Sequence, residues 1–304
     1  MNGLVPWNMI PKGTDAIPIA IISLNDAADR RESLIESGFP PEWVRGYWPA
    51  TDMRNTPQEE VMQNDAYIKM KKTYGRDILP GEMGCLFSHR SVINWFAEHS
   101  EASLLVIFED DVIPMNSNSY NKLAALTSFL DIKAKSGSAF MCHLGPRRSQ
   151  WEKSFSRKIY SSELRSNDLG LYYHFKENCN MWLAHAYIIS KEAAIRYSQS
   201  SICPDFLADD WNRITRQSDI SFLSVVPGLF TQTDIASSSI DPGGLRAGSS
   251  SNSNSAELLS LFDKLEREIK SAPILKSKCR IVWKRIRLFF VVCIRNIPKK
   301  WNPE

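Results

Sequence analysis

Residues 103–114 read SLLVIFEDDVIP, an aliphatic run that ends in three consecutive carboxylates, Glu109, Asp110 and Asp111. An apolar run this short, closed by a proline, predicts a strand buried on both faces. Such a strand must have other strands beside it and helices above and below, which commits the chain to an α/β sandwich. IPIAIISL (17–24) is a second β-branched run. It is followed by Asn25-Asp26 and then AADRRESLIESGF, with charges on one side and Leu34 and Ile35 on the other, so strand, loop and helix are predicted. GEMGCLFSHRSVINWFAEH (81–99) sets Met83, Leu86, Phe87, Val92, Ile93, Trp95 and Phe96 at helical spacing behind a Pro80-Gly81-Glu82 start. The pattern further predicts a helix over 120–134, strands over 139–144 and 182–189, and a helix over 191–199. Strands alternating with helices predict a mostly parallel central sheet.

The chain has 304 residues, 43% hydrophobic and 11% aromatic, enough for a packed core and wrong for a disordered or fibrous chain. Its formal charge of +3 is unevenly placed. Nine basic residues and no acidic one lie between Lys276 and Pro303, which leaves 28 basic against 34 acidic residues elsewhere. A mildly acidic body lacks the positive surface of a nucleic-acid binder. The six cysteines show no CxxC pair and no Cys/His partner at zinc spacing, so they are expected to be reduced. No basic-then-apolar leader is visible in residues 1–15, and Leu288 to Ile294 falls far short of the roughly 20 apolar residues that span a bilayer. These features predict a cytoplasmic protein.

Three segments are expected: a catalytic domain over 1–240, a flexible Gly/Ser/Asn-rich linker or loop over 241–255, and basic amphipathic C-terminal helices over 256–304. The last segment interleaves Trp283, Leu288, Phe289 and Phe290 with arginines and lysines. Helices of that kind lie in the interface of an anionic membrane, or fold back on the body through their apolar side.

Three neighbouring carboxylates at the end of a buried strand repel one another unless a cation neutralises them. Strand ends are where α/β sheets bind ligands, and hard oxygen donors favour Mg²⁺ or Mn²⁺ with a phosphate completing the shell. Alternation along the chain puts Glu109 and Asp111 on one side and Asp110 on the other. The plain alternative is a solvated acidic turn. Ser88 and His89 form a second candidate, because a buried Ser-His pair needs partners and a helix packed on the acidic strand brings the pair near the same pocket. His89 as a structural histidine is the alternative. CPDFLADDW (203–211) offers Asp205, Asp209 and Asp210 beside Trp211, which suits a general base next to a sugar or, equally, a helix N-terminus.

ISLNDAADRRESLIESGF, LPGEMGCLFSHRSVINW, LLVIFEDDVIP, MWLAHAYIISKEAAIRY and PGLFTQTDIASSSI, in this order over residues 17–240, resemble glycosyltransferase family 25. That family includes bacterial lipooligosaccharide β-galactosyltransferases and is related to the collagen galactosyltransferases. The resemblance implies a GT-A-type nucleotide-binding fold. It also implies inverting transfer of a hexose, galactose first, from a UDP-sugar to a saccharide acceptor in lipopolysaccharide or lipooligosaccharide synthesis. Glu109-Asp110-Asp111 then plays the part of a DxD-like motif, with Glu109 and Asp111 as ligands of Mn²⁺ or Mg²⁺. Arg30, Ser88, His89, Asp110 and Asp111 become donor-binding residues, with Arg30 on phosphate or uridine, and Asp209 or Asp210 supplies the base. The implied partners are the UDP-sugar, a saccharide or lipid-linked glycan, and an anionic membrane surface at the inner face of the cytoplasmic membrane. The chain departs from the family pattern in one place: relatives carry Gly-Thr before the His-Ala-Tyr block, where this chain has Trp182-Leu183-Ala184 before His185-Ala186-Tyr187. Two competing readings use the same acidic motif, a catalytically silent sugar-nucleotide or glycan-binding protein and a metal-dependent phosphohydrolase.

Overall fold

The structure, a computed structural model, describes residues 8–10, 17–44, 46–146, 156–159, 161–175, 181–200 and 204–232. The linker expected over 241–255 and the basic helices expected over 256–304 lie outside the described residues.

The chain begins with β1 (Asn8–Ile10) and β2 (Ile17–Ser23). All seven residues of β2 are buried, as a strand covered on both faces requires. Helix α1 (Ala28–Glu36) follows and ends at Gly38, whose φ of 91° is the left-handed turn that glycine accommodates without strain. Next come the short β3 (Trp48–Pro49), α2 (Gln58–Val61) and α3 (Asp65–Tyr74), the last capped by Asn64, whose side chain accepts the Ala66 N–H at 2.9 Å. Helix α4 (Pro80–His99) starts where predicted, with Glu82 reaching back to the Leu79 N–H at 3.0 Å. Strand β4 (Leu104–Glu109), the turn at Asp110-Asp111 and β5 (Val112–Pro114) follow. Then come α5 (Ser119–Lys135), β6 (Phe140–His143), β7 (Ser156–Ile159), α6 (Ser162–Ser166), β8 (Gly170–His174) and β9 (Ala186–Ser190). Helices α7 (Lys191–Ser200) and α8 (Trp211–Gln217), β10 (Ser221–Val226) and β11 (Phe230–Gln232) complete the described chain.

Among the described residues, nine strands form one sheet in the order β1-β2-β4-β9-β6-β10-β8-β7, with β3 beside β2. The expectation of a mostly parallel sheet holds for β2, β4, β6 and β10, which run in one direction. It fails at β9, inserted antiparallel between β4 and β6, and at the edges, where β1, β8 and β7 pair antiparallel. The reason is physical: β9 is buried on both faces, and a strand so covered reads as an unbroken apolar run whichever way it points.

Alternate residues of β4 feed opposite faces. Leu105 and Ile107 pack under α4 and α7 with Met83, Leu86, Phe96 and Tyr197, whereas Leu104, Val106 and Phe108 pack with Leu34 of α1 and Leu123, Leu126 and Leu130 of α5. Leu104 through Phe108 are all fully buried, each contributing roughly 1.5–3 kcal/mol of hydrophobic stabilisation. The helices therefore hold β4 rigidly, and its acidic end is fixed in place. The C-terminal ends of β2, β4 and β6 share one edge of the sheet with the start of β9, the edge at which α/β sheets bind ligands.

Candidate active site

The acidic turn after β4 is held from three directions. From β2, the Ser23 hydroxyl donates to Asp110 Oδ2 at 2.7 Å. From α1, Arg30 Nη2 lies 2.6 Å from Asp110 Oδ1 and 2.8 Å from Asp111 Oδ2. From β11, the Gln232 amide donates to Glu109 Oε2 at 3.1 Å and to Asp111 Oδ1 at 3.4 Å. Glu109 and Asp111 thus share a donor, on the side that alternation assigns them, and Asp110 turns toward β2. Arg31 braces the neighbouring loop by donating to Ser23 Oγ, to the Leu24 carbonyl at 2.6 Å and to the Asn25 carbonyl at 3.2 Å, and lies over the Tyr47 ring.

Helix α4 supplies the fourth wall. His89 Nε2 lies 3.0 Å from Glu109 Oε1, its Nδ1 lies 2.9 Å from the Tyr187 hydroxyl, and Cys85 Sγ is 4.0 Å from the same Glu109 oxygen. Ser88 faces elsewhere. Its hydroxyl donates to the Gly84 carbonyl at 2.6 Å and accepts the Thr51 N–H at 2.8 Å, so it pins the loop after β3 to the helix. The approach is close there, since a Cβ on Gly84 would stand 2.7 Å from the Thr51 carbonyl oxygen.

The charges do not balance. Burial pushes the Glu109 carboxyl up, but the hydrogen bond and charge of His89, with His185 and Arg30 behind it, hold it below the ordinary range. Asp110 is pushed up by burial against the opposing pull of Arg30 and Ser23. Asp111 is pushed up to about 7, by burial first and then by the charge on Glu109, in spite of Arg30. Arg30 in contact with both aspartates, with the charge of Arg31 acting on Asp110 as well, still leaves the turn short of positive charge. Carboxylate oxygens in that condition fit a hard divalent cation of the Mg²⁺ or Mn²⁺ class.

The third group of acids lies at the start of α8. Asp210 is buried and caps that helix, with Oδ1 accepting the Arg213 N–H at 3.2 Å and Oδ2 accepting the Tyr74 hydroxyl at 2.7 Å. Asp205 contacts Gln217, Thr73 and Arg213. Asp209 is half-buried, near enough to Arg76 that its charge, after those of Glu82 and Tyr74, helps keep that guanidinium protonated. These residues connect to the acidic turn through aromatic packing: the Trp211 ring stands 5.1 Å from Tyr187, whose hydroxyl meets His89.

Residues 16–205 match the sequence profile of Glycosyltransferase family 25 (LPS biosynthesis protein). The chain belongs to glycosyltransferase family 25. No curated protein matches it. Membership makes the chain a glycosyltransferase-family protein of the lipopolysaccharide-biosynthesis type, and the matched segment contains Arg30, the whole of α4 and the acidic turn. Among the described residues, no helix is long and apolar enough to cross a membrane.

The site of this family 25 chain also contains residues that sequence reasoning missed. Ser23 and Arg31 looked like a strand end and a helix charge. Gln232 lies 121 residues from Asp111 and reaches it only because β11 pairs antiparallel with β5. Cys85 carried a legible signal that was read as absent: its spacing of four to His89 puts both side chains on one face of a helix.

Proposed function

We infer that the protein transfers a hexose, galactose first, from a UDP-sugar to a saccharide acceptor with inversion at the anomeric carbon. The observation that carries this reading is the clamp of Arg30 on Asp110 and Asp111 at the end of β4, inside the family-matched segment. The mixed sheet, with β2, β4 and β6 running in one direction at the site edge, supports a GT-A-type arrangement of the donor.

Asp111, with Asp110 beside it and Glu109 behind, would hold a divalent cation that takes up charge developing on the departing diphosphate. Arg30, beside both aspartates, would contact the same phosphates, and its five donors suit them geometrically. His89 and Gln232 fix the Glu109 carboxylate, so the turn is organised before the donor arrives. In the reaction the acceptor hydroxyl oxygen bonds to the anomeric carbon, the bond from that carbon to the diphosphate oxygen breaks, UDP leaves, and a carboxylate takes the hydroxyl proton. Asp209 is the better base of the adjacent pair, because both oxygens of Asp210 are engaged in the helix cap and with Tyr74. The stretch from Lys276 to Pro303, with nine basic residues and no carboxylate, supports attachment to an anionic surface at the inner face of the cytoplasmic membrane, where lipid-linked acceptors are assembled.

The test is UDP release from a panel of UDP-sugars, with and without a saccharide acceptor from lipooligosaccharide. Transfer predicts release from one hexose donor only when acceptor is present. Formation of UMP and sugar 1-phosphate without acceptor identifies a phosphohydrolase, and no turnover with binding intact identifies a silent binding protein.

A further inference from the structure

Cys85, His89 and Glu109 bring a thiol sulfur, an imidazole nitrogen and a carboxylate oxygen within 4.8 Å of one another. Cys85 and His89 share a face of α4, and Glu109 ends β4 against that face. His89 Nε2 is 3.0 Å and Cys85 Sγ 4.0 Å from the same oxygen, Glu109 Oε1. A tetrahedral Zn²⁺ with bonds of about 2.0–2.3 Å holds its ligand atoms roughly 3.3–3.6 Å apart. The two distances to Glu109 Oε1 fall on either side of that spacing, and all three atoms lie within 4.8 Å of one another.

Two of the three donors are also held from behind. The Tyr187 hydroxyl, 2.9 Å from His89 Nδ1, leaves Nε2 to face the cluster, and the Gln232 amide holds Glu109 Oε2 at 3.1 Å. Outer partners of this kind orient the ring and the carboxylate in metal sites. The donor set differs in kind from the neighbouring aspartates. Thiolate and imidazole select zinc-like ions, whereas carboxylates alone suit Mg²⁺ and Mn²⁺.

We propose that Cys85, His89 and Glu109 bind a thiophilic divalent cation of the zinc class, at a position chemically separate from the hard-cation position at Asp111, with a fourth coordination position open to water. The bound ion ties α4 to the end of β4 and holds Glu109 away from Asp110 and Asp111. The proposal rests on side-chain geometry and stands or falls independently of the transferase reading.

Two measurements on the purified full-length protein test it, neither of them an activity. In the first, the protein is alkylated with iodoacetamide in the presence of Zn²⁺ or Mg²⁺ and the Cys85 peptide is weighed by mass spectrometry. Zn²⁺ should protect Cys85 and Mg²⁺ should not. In the second, Co²⁺ is titrated as a spectroscopic probe. A thiolate-to-cobalt charge-transfer band should appear, vanish in Cys85→Ser, and require about 10-fold or more Co²⁺ in Tyr187→Phe. Alkylation of Cys85 unchanged by Zn²⁺, or the same cobalt spectrum in folded Cys85→Ser, would overturn the proposal. The alkylation arm uses the unaltered chain, so it decides the matter even where a variant fails to fold.

Discussion

Arg30 Nη2 lies 2.6 Å from the Asp110 carboxylate, and the same nitrogen reaches Asp111 at 2.8 Å. One cation therefore serves two carboxylates, while a third, Glu109, leans on His89.

Removing that cation should reveal the deficit of charge. Arg30→Gln is expected to lower stability by about 1–3 kcal/mol in metal-free buffer, the range for hydrogen bonds to charged groups. Added Mn²⁺ should then raise the melting temperature of the variant more than that of the parent, because the variant has lost the guanidinium in contact with both aspartates, only the charge of Arg31 acting on Asp110 among the other described arginines, and a ligand stabilises the state that binds it better. Equal shifts in both proteins would show that the aspartates do not face a cation site.

The adjacent aspartates at the start of α8 should separate into two roles. Asp209→Asn is expected to lower kcat by about 10²- to 10⁴-fold with an unchanged melt, as loss of a general base does. Asp210→Ala should cost about 0.5–2 kcal/mol through the lost cap, with further loss from the stranded Tyr74 hydroxyl. Thermal melts and steady-state kinetics of the two variants side by side check the division. A large melt shift in Asp209→Asn, or full turnover in it, would refute the assignment.

Much of the fold was legible because its signals are local. The apolar run at 103–108, the helix at 81–99 and the β-branched run at 17–24 each form close to where periodicity puts them. The reversed β9 was not legible, because burial on both faces removes the alternation that would betray its direction. In the site, the acidic turn and His89 announce themselves by charge and neighbourhood. Gln232 could not, since only the pairing of β11 with β5 delivers it. The pattern at 203–211 suited a base and a helix N-terminus equally, and Asp210 caps α8, while the Ser88 hydroxyl pins the loop after β3 to α4.

The departure from the family pattern before His185 has a backbone consequence. Leu183 has φ of 81°, in the left-handed region that glycine occupies freely and that costs other residues roughly 1–2 kcal/mol. Leu183→Gly is therefore expected to raise stability, by about 1 kcal/mol or somewhat less once the extra freedom of glycine in the unfolded chain is counted. Urea unfolding measures it. A clear loss of stability would mean that Leu183 packing outweighs the strain.

Two buried histidines should weaken the protein in acid, while Asp111, raised to about 7, pulls the other way over the same range. Burial, with the charge of His185 added, holds the His143 imidazole down at about 3, and burial holds His174 at about 4, both from an ordinary 6.5. His143 Nδ1 accepts the Gly145 N–H at 3.0 Å, so protonation there breaks a bond. The unfolded chain takes up these protons below pH 6.5 and the folded chain does not, so stability falls as pH drops from about 6.5 toward 4. The slope approaches about 1.4 kcal/mol per pH unit for each group. Urea midpoints at pH 7, 6 and 5 test this, and His174→Gln should flatten the decline. The same pH dependence in the parent and in His174→Gln would contradict it.

In the proposed reaction the Asp110-Asp111 turn, with Arg30, receives the diphosphate of a nucleotide sugar. Calorimetric titration of UDP into the protein, with and without Mn²⁺, tests it most directly when repeated with Asp111→Asn. The account predicts UDP binding that depends on Mn²⁺ in the parent and is lost in Asp111→Asn while the variant melts normally. UDP bound equally well by both proteins, or equally well without Mn²⁺, would contradict it.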